Sequence, residues 1–137
     1  MQTQNNARLS NIMEIFMPEP TLKVIMMPTD TNIWGKVFGG KLLCLIDEAA
    51  GIEALKKVKN GFVVTKAIKE AVFLAPIEVG DVISLYASII STGRTSMTIK
   101  VDVYADRHGC DNFIAATAVA IYVAVDDKGK PIPINQN

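Results

Sequence analysis

One long apolar helix with an antiparallel sheet curled round it, an α+β layer arrangement, is the architecture this 137-residue chain predicts. Three observations carry the prediction. From Gly39 to about Lys59 apolar side chains recur almost all the way round a helical projection, and a helix apolar on every side is a buried one. After Asn60 and Gly61 the period of the hydrophobic pattern drops to that of a strand. The strand-like runs that follow are joined by short turn-forming clusters, which implies antiparallel neighbours.

Taken in order, residues 1–8 are polar, and Leu9, Ile12, Met13, Ile15 and Phe16 then fall at helical spacing until Pro18 and Pro20 end the pattern. Residues 1–20 are thus expected to be an N-terminal extension and residues 21–137 a single domain. Residues 21–27 read as a first strand. Pro28, Asp30 and Asn32 supply turn chemistry, since proline pre-sets φ and the short polar side chains bond their own backbone. Gly35, Gly39 and Gly40 bring the chain to the helix with little bulk, and Lys56, Lys57 and Lys59 put cations at its C-terminal end, where the dipole favours them. Residues 62–74 read as a long strand, bent where its alternation slips near Ala67 to Lys69. Residues 75–81 are a connection ending in a Gly-Asp turn, residues 82–92 a strand, and residues 91–94 a turn. Met97, Ile99, Val101, Val103 and Ala105 alternate with Thr98, Lys100, Asp102, Tyr104 and Asp106, the pattern of a half-buried strand with one wet face. Residues 107–112 form a loop. Residues 113–125 are almost continuously apolar, as suits a central strand or one covered on both faces, and Pro131 and Pro133 keep the tail from forming another.

Composition narrows the function. Hydrophobic residues make up 50% of the chain and charged residues 20%, at a formal net charge of +0. No basic excess exists to displace the counterions of a nucleic acid, so no nucleic-acid partner is expected. Cys44 and Cys110, far apart in sequence, read as reduced thiols. A single histidine, His108, with no close Cys/His cluster argues against zinc. There is no basic-then-apolar leader and no run of about 18 apolar residues, so neither secretion nor membrane insertion is expected and the location is read as cytoplasmic.

The common site motifs (G-x-S-x-G, the P-loop, H-E-x-x-H, C-x-x-C) are absent, and Gly39-Gly40 does not make a dinucleotide fingerprint. What stands out is a carboxylate on a buried helix. Asp47 shares a stripe with Leu43, Gly51, Ala54 and Val58, and must be paired, neutralised or used. From pattern alone it is either a buried structural acid or a reactive one. Glu53 reads as a lysine's structural partner, and Glu48 as solvated or paired with a nearby cation. Asn32 suits an Asx turn or a polar contact to a ligand. Gly39 and Gly40 suit a plain bend or a helix N-terminus whose N–H groups meet a bound oxygen. Arg94, between Gly93 and Thr95-Ser96, decorates a hairpin or meets a phosphate.

These residues have a family resemblance. The pattern Asp30-Thr31-Asn32-x-x-Gly35-x-x-Phe38-Gly39-Gly40, then Leu45-Ile46-Asp47-Glu48-Ala49-Ala50-Gly51, resembles the hot-dog-fold acyl-CoA thioesterases, in particular the YciA-type and brain-type (broad-specificity) acyl-CoA hydrolases. It continues through Val63-Val64-Thr65, through Phe73-Leu74-Ala75-Pro76-Ile77-x-Val79-Gly80-Asp81 and through Gly93-Arg94-Thr95-Ser96, covering about residues 21–134. The resemblance implies a central helix wrapped by a curved antiparallel sheet, homodimers with shared active sites, and trimers of dimers. It implies that Asp47 is the catalytic carboxylate, as general base or nucleophile, and that Asn32 enters from the partner subunit. Gly39, Gly40, Thr65, Gly93, Arg94, Thr95 and Ser96 are the expected substrate-binding residues, with N–H groups around Gly39-Gly40 for an oxyanion and Arg94 with its Ser/Thr neighbours for the CoA phosphates. No cofactor is implied, since CoA is part of the substrate and product. Many relatives carry His where this chain has Phe38, so a histidine-dependent mechanism is excluded at that position. A non-catalytic acyl-CoA-binding module shares the fold, as does a dehydratase, though the latter usually needs a histidine close to its substrate.

Overall fold

The nineteen-residue helix α1 (Gly39–Lys57) lies against a five-stranded antiparallel sheet in the computed structural model, which describes residues 18–134. The helical turn read over residues 9–16 lies outside the described residues. The strands are β1 (Leu22–Ile25), β2 (Phe62–Phe73), β3 (Val82–Thr92), β4 (Ser96–Asp106) and β5 (Phe113–Val125). The sheet curls into a half-barrel around the helix. Leu42, Leu45, Ile46, Ala49, Ala50 and Ala54 of α1 are buried against it. The alternation in β4 is realised residue for residue: Met97, Ile99, Val101, Val103 and Ala105 are fully buried, while Lys100, Tyr104 and Asp106 are exposed. On the outward face the Tyr86 and Tyr104 rings meet edge to face with centroids 5.8 Å apart.

One expectation from the short turns is corrected. The strand order is β1-β3-β4-β5-β2, so β2 and β3 are consecutive in sequence but not neighbours. The connection from β2 to β3 carries the chain from one edge of the sheet to the other side of β4 and β5. On the way it forms a bridge between Glu78 and Lys36, and the Val37 N–H donates to the Ile77 carbonyl at 2.8 Å. The bend expected in β2 is present as two register shifts against β5, between Thr65 and Ala67 and between Lys69 and Val72, with Glu70 at φ 55°. Being an edge strand, β2 has a second row of backbone groups without a ladder partner, and Phe62, Val64, Val72 and Phe73 on it are exposed. The interior position of β5, between β4 and β2, accounts for its continuous apolar run.

A second carboxylate closes the fold. Asp81 is 1% exposed and accepts two bonds from Arg107, from Nε at 2.9 Å and from Nη2 at 2.8 Å, and a third from the Glu78 N–H at 2.8 Å. Arg107 also donates to the Pro76 carbonyl and lies 5.1 Å from the centroid of the Phe113 ring. Glu78 pairs in turn with Lys36. The network ties the β2–β3 connection, the loop before α1 and the end of β4 together. Burial pushes the Asp81 carboxyl up, but the Arg107 bonds and the Glu78 N–H outweigh it and hold the group below the usual carboxylate range. Among the described residues no helix is long and apolar enough to cross a membrane.

Candidate active site

Asp47 lies midway along α1, half-buried, and its neighbours converge from the far edge of the sheet. Thr65 of β2 and Tyr122 of β5 are direct cross-strand partners, so their side chains share a face. That face is the one toward α1. The Thr65 hydroxyl donates to Asp47 Oδ1 at 2.7 Å, and the Tyr122 hydroxyl donates to the same oxygen at 2.6 Å. The Tyr122 hydroxyl also lies 2.7 Å from the Asp47 main-chain carbonyl. Among the described residues nothing hydrogen-bonds Oδ2. Gly51, one turn on, makes room for this arrangement: a Cβ there would come within 3.1 Å of the Tyr122 hydroxyl. Tyr122 is 5% exposed. Burial, reinforced by the hydrogen bond to Asp47, pushes its hydroxyl up to about 12, so it is a proton donor across the neutral range.

Asn32 sits in the loop between β1 and α1. Its Oδ1 accepts from the Trp34 N–H at 2.9 Å and the Lys36 N–H at 3.1 Å, which is the Asx-type turn its residue type suggests. Its main chain pairs with Lys36 and Gly35. Ile33 and Trp34, at the tip, are 93% and 79% exposed. Gly39 and Gly40 are the first two residues of α1, which has no side-chain cap. Their N–H groups are among those a helix leaves unmatched. A Cβ at Gly39 would meet the Phe73 ring at 3.4 Å, whereas Gly40 has open space around it. Beside this end of the helix lies a cleft of about 380 Å³ lined by residues including Val37, Gly39, Leu42, Phe73, Leu74 and Ile77.

Gly93 to Ser96 join β3 to β4. Ser96 pairs with Val123, which pairs with Val64, so the turn lies two strands from Thr65, roughly 9–10 Å at ordinary strand spacing. The Arg94 carbonyl accepts from the Ile134 N–H at 2.9 Å, while its guanidinium has no partner among the described residues. Thus the structure gathers Asp47 and Thr65 directly, with Arg94, Thr95 and Ser96 at the same end of the sheet. Asn32, Gly39 and Gly40 are at the other end of the helix. Glu53 is a structural partner as read, with Lys56 Nζ 3.0 Å away, and Glu48 is exposed with the Cys44 thiol 3.6 Å from its Oε1. Tyr122 is the residue the pattern concealed. It sits in a run read as almost continuously apolar, and its one signal is Gly51, a helical glycine facing it.

The fold and the site define a hot-dog domain with a hydrogen-bonded carboxylate on its central helix, and known proteins give the family. The thioesterase superfamily model matches residues 35–110. An acyl-CoA thioester hydrolase, YciA, of Salmonella typhimurium is 38% identical over 120 residues, covering 85% of this chain and 90% of its own. An uncharacterised acyl-CoA thioester hydrolase of Zymomonas mobilis is 39% identical over 117 residues, covering 85% of this chain and 78% of its own. The crystal structure of a hexameric hotdog-fold thioesterase of Campylobacter jejuni superposes with a TM-score of 0.81 at 38% identity, covering 88% of this chain and 93% of that one. The chain belongs to the thioesterase superfamily.

Proposed function

We propose that the protein hydrolyses acyl-CoA to a free fatty acid and CoA, at sites shared between two copies of the chain and with no cofactor. The carrying observation is the state of Asp47: one carboxylate oxygen is held by two hydroxyl donors and the other has no donor among the described residues, on a helix packed against the sheet. Thioester hydrolysis needs a base or nucleophile and a donor for the developing oxyanion. Asp47 meets the first need, either by taking a proton from the attacking water or by attacking the carbonyl carbon to form a mixed anhydride with loss of the CoA thiolate. The unmatched N–H groups at Gly39 and Gly40 meet the second. Asn32 then holds the water or the thioester.

Spacing supports a site built from two chains. Gly39 and Asp47 are eight residues apart on one helix, hence about 12 Å along its axis. Reacting atoms have to come within about 3–3.5 Å, so one thioester cannot use both groups of a single chain. A two-fold axis that runs a second α1 antiparallel to the first brings one chain's Gly39, Gly40 and Asn32 to the other's Asp47. The unpaired edge of β2, its exposed aromatic and aliphatic side chains, and the bare tip at Ile33 and Trp34 suit such a partner. The hexameric relative suggests three such dimers. The cleft beside Gly39 has the volume and apolar walls for an acyl chain. Arg94, with Gly93, Thr95 and Ser96 around it, is the group we assign to the CoA phosphates. Such a substrate and free thiols at Cys44 and Cys110 fit a cytoplasmic enzyme.

The test is thiol release from a panel of acyl-CoA chain lengths by the purified protein. Turnover is expected to fall about 10²–10⁴-fold in Asp47→Ala, the usual worth of a positioned base. Undiminished turnover in that variant would falsify the role of Asp47. Saturable CoA binding with no thiol release from any chain length would make the protein an acyl-CoA-binding module instead.

A further inference from the structure

We infer that Tyr122 is a positioning residue of the hydrolytic site, and that with Thr65 it selects Oδ2 of Asp47 as the reacting oxygen. The inference rests on the thioesterase reading above, and adds to it a residue and an atom.

A carboxylate oxygen has two in-plane lone pairs. On Oδ1 both are taken, by the Thr65 hydroxyl at 2.7 Å and the Tyr122 hydroxyl at 2.6 Å, distances in the range of strong bonds to a charged acceptor. Oδ1 is therefore closed to water or substrate. Oδ2, with no donor among the described residues, is where a proton is taken or a bond to carbon is made. The two donors also fix the carboxylate plane, because they reach it from neighbouring strands that are hydrogen-bonded to each other.

Tyr122 has a second feature that Thr65 lacks. Its hydroxyl has one proton and two acceptors in reach, Oδ1 and the main-chain carbonyl of Asp47 at 2.7 Å. While Asp47 is charged the proton serves Oδ1. Once Asp47 has taken a proton, or is bonded to an acyl carbon, the carbonyl keeps the buried hydroxyl satisfied. Neither state of the carboxylate leaves an orphaned polar group at 5% exposure, which would otherwise cost the full desolvation of that group. Gly51 maintains this geometry, since any side chain there presses on the hydroxyl.

The experiment uses the full-length protein with an acyl-CoA that the wild type turns over, and compares Tyr122→Phe, Gly51→Ala and the double variant. Tyr122→Phe keeps the ring and removes only the hydroxyl. Its kcat is expected to fall about tenfold with KM within about twofold of wild type, the pattern of a group that acts on the reacting carboxylate and not on substrate binding. Gly51→Ala is expected to lower kcat also, but to add nothing in the Tyr122→Phe background, because the glycine acts through the hydroxyl. Melting temperatures are taken alongside, with assays run well below the lowest. An unchanged kcat in Tyr122→Phe overturns the inference. So does a loss in KM alone, or a further tenfold loss on adding Gly51→Ala. A wild type that releases no thiol from any acyl-CoA overturns the function itself, and is thereby distinguished from these outcomes.

Discussion

Asp81 is buried and Asp47 half-buried, and their partners differ in how much of each carboxylate they close. Asp81 is closed on both oxygens by Arg107 and the Glu78 N–H, whereas among the described residues Oδ2 of Asp47 has no donor. The folded protein depresses the Asp81 carboxyl below its usual value, and it does the same for Glu78 through the hydrogen bond from Lys36. Groups depressed in this way contribute stability above the unfolded carboxylate value, near 4, and lose it as pH falls through the folded value. Urea unfolding should therefore show wild type weakening between roughly pH 5 and pH 3, and Asp81→Asn weakening less over that window. At pH 7 Arg107→Ala should cost about 3 kcal/mol, since it leaves the buried Asp81 charge without its cation and with only the Glu78 N–H as donor. An Asp81→Asn variant with the same acid sensitivity as wild type would rule the assignment out. Asp47 was legible in the sequence because a carboxylate interrupts an otherwise apolar helix. Asp81 was read only as a turn residue, because its partner is 26 positions away and local pattern holds no trace of such a pairing. Tyr122 was hidden for a related reason: its ring obeys the apolar pattern and only its hydroxyl departs from it.

Elements were legible where their pattern is local. The boundaries of β3 and β5 coincide with the hydrophobic runs, and β4 begins one residue before its alternation becomes visible. The helix ends at Lys57, earlier than its lysine-rich end implied, because Val58 leaves helical geometry at φ −107° and ψ 99°. Leu74, counted as strand from its hydrophobicity, is outside β2, although its N–H still reaches the Ala115 carbonyl. Two glycines that bound elements differ in what they allow. A Cβ at Gly61 would lie 2.7 Å from Ile132 Cδ1 and 2.9 Å from the Val125 carbonyl oxygen, and the latter is backbone of an interior strand. At Gly93 the obstacle is Ser96 Oγ at 2.8 Å, which can rotate away. Thermal melts are expected to place Gly61→Ala about 1–3 kcal/mol below wild type, and Gly93→Ala within about 0.5 kcal/mol. Equal melting temperatures for the two would show that the strand end at Val125 yields more easily than a paired backbone should.

At the scale of the molecule, curled sheet and enclosed helix followed from two periodicities, but the order of strands did not. The pairing of β2 with β5, and not with β3, is an outcome of contacts between distant segments that no short window contains. The result places β2 at an edge, and its uncovered backbone is the surface that the proposed pairing of two copies would use.

The eight-residue offset along the helix from Gly39 to Asp47 has a consequence for inheritance as much as for chemistry. If each site draws Asn32 from one chain and Asp47 from the other, Asn32→Ala and Asp47→Ala are defects that complement. Each pure variant is expected to be nearly inactive. Unfolded together in equal amounts and refolded, half of the dimers are mixed, and each mixed dimer regains one intact site while its second site carries both lesions. The blend should thus recover about a quarter of wild-type activity. A blend no more active than its components would put both residues in a site of one chain. Two defective alleles in one cell would then differ from one allele bearing both changes, which no mixing can rescue.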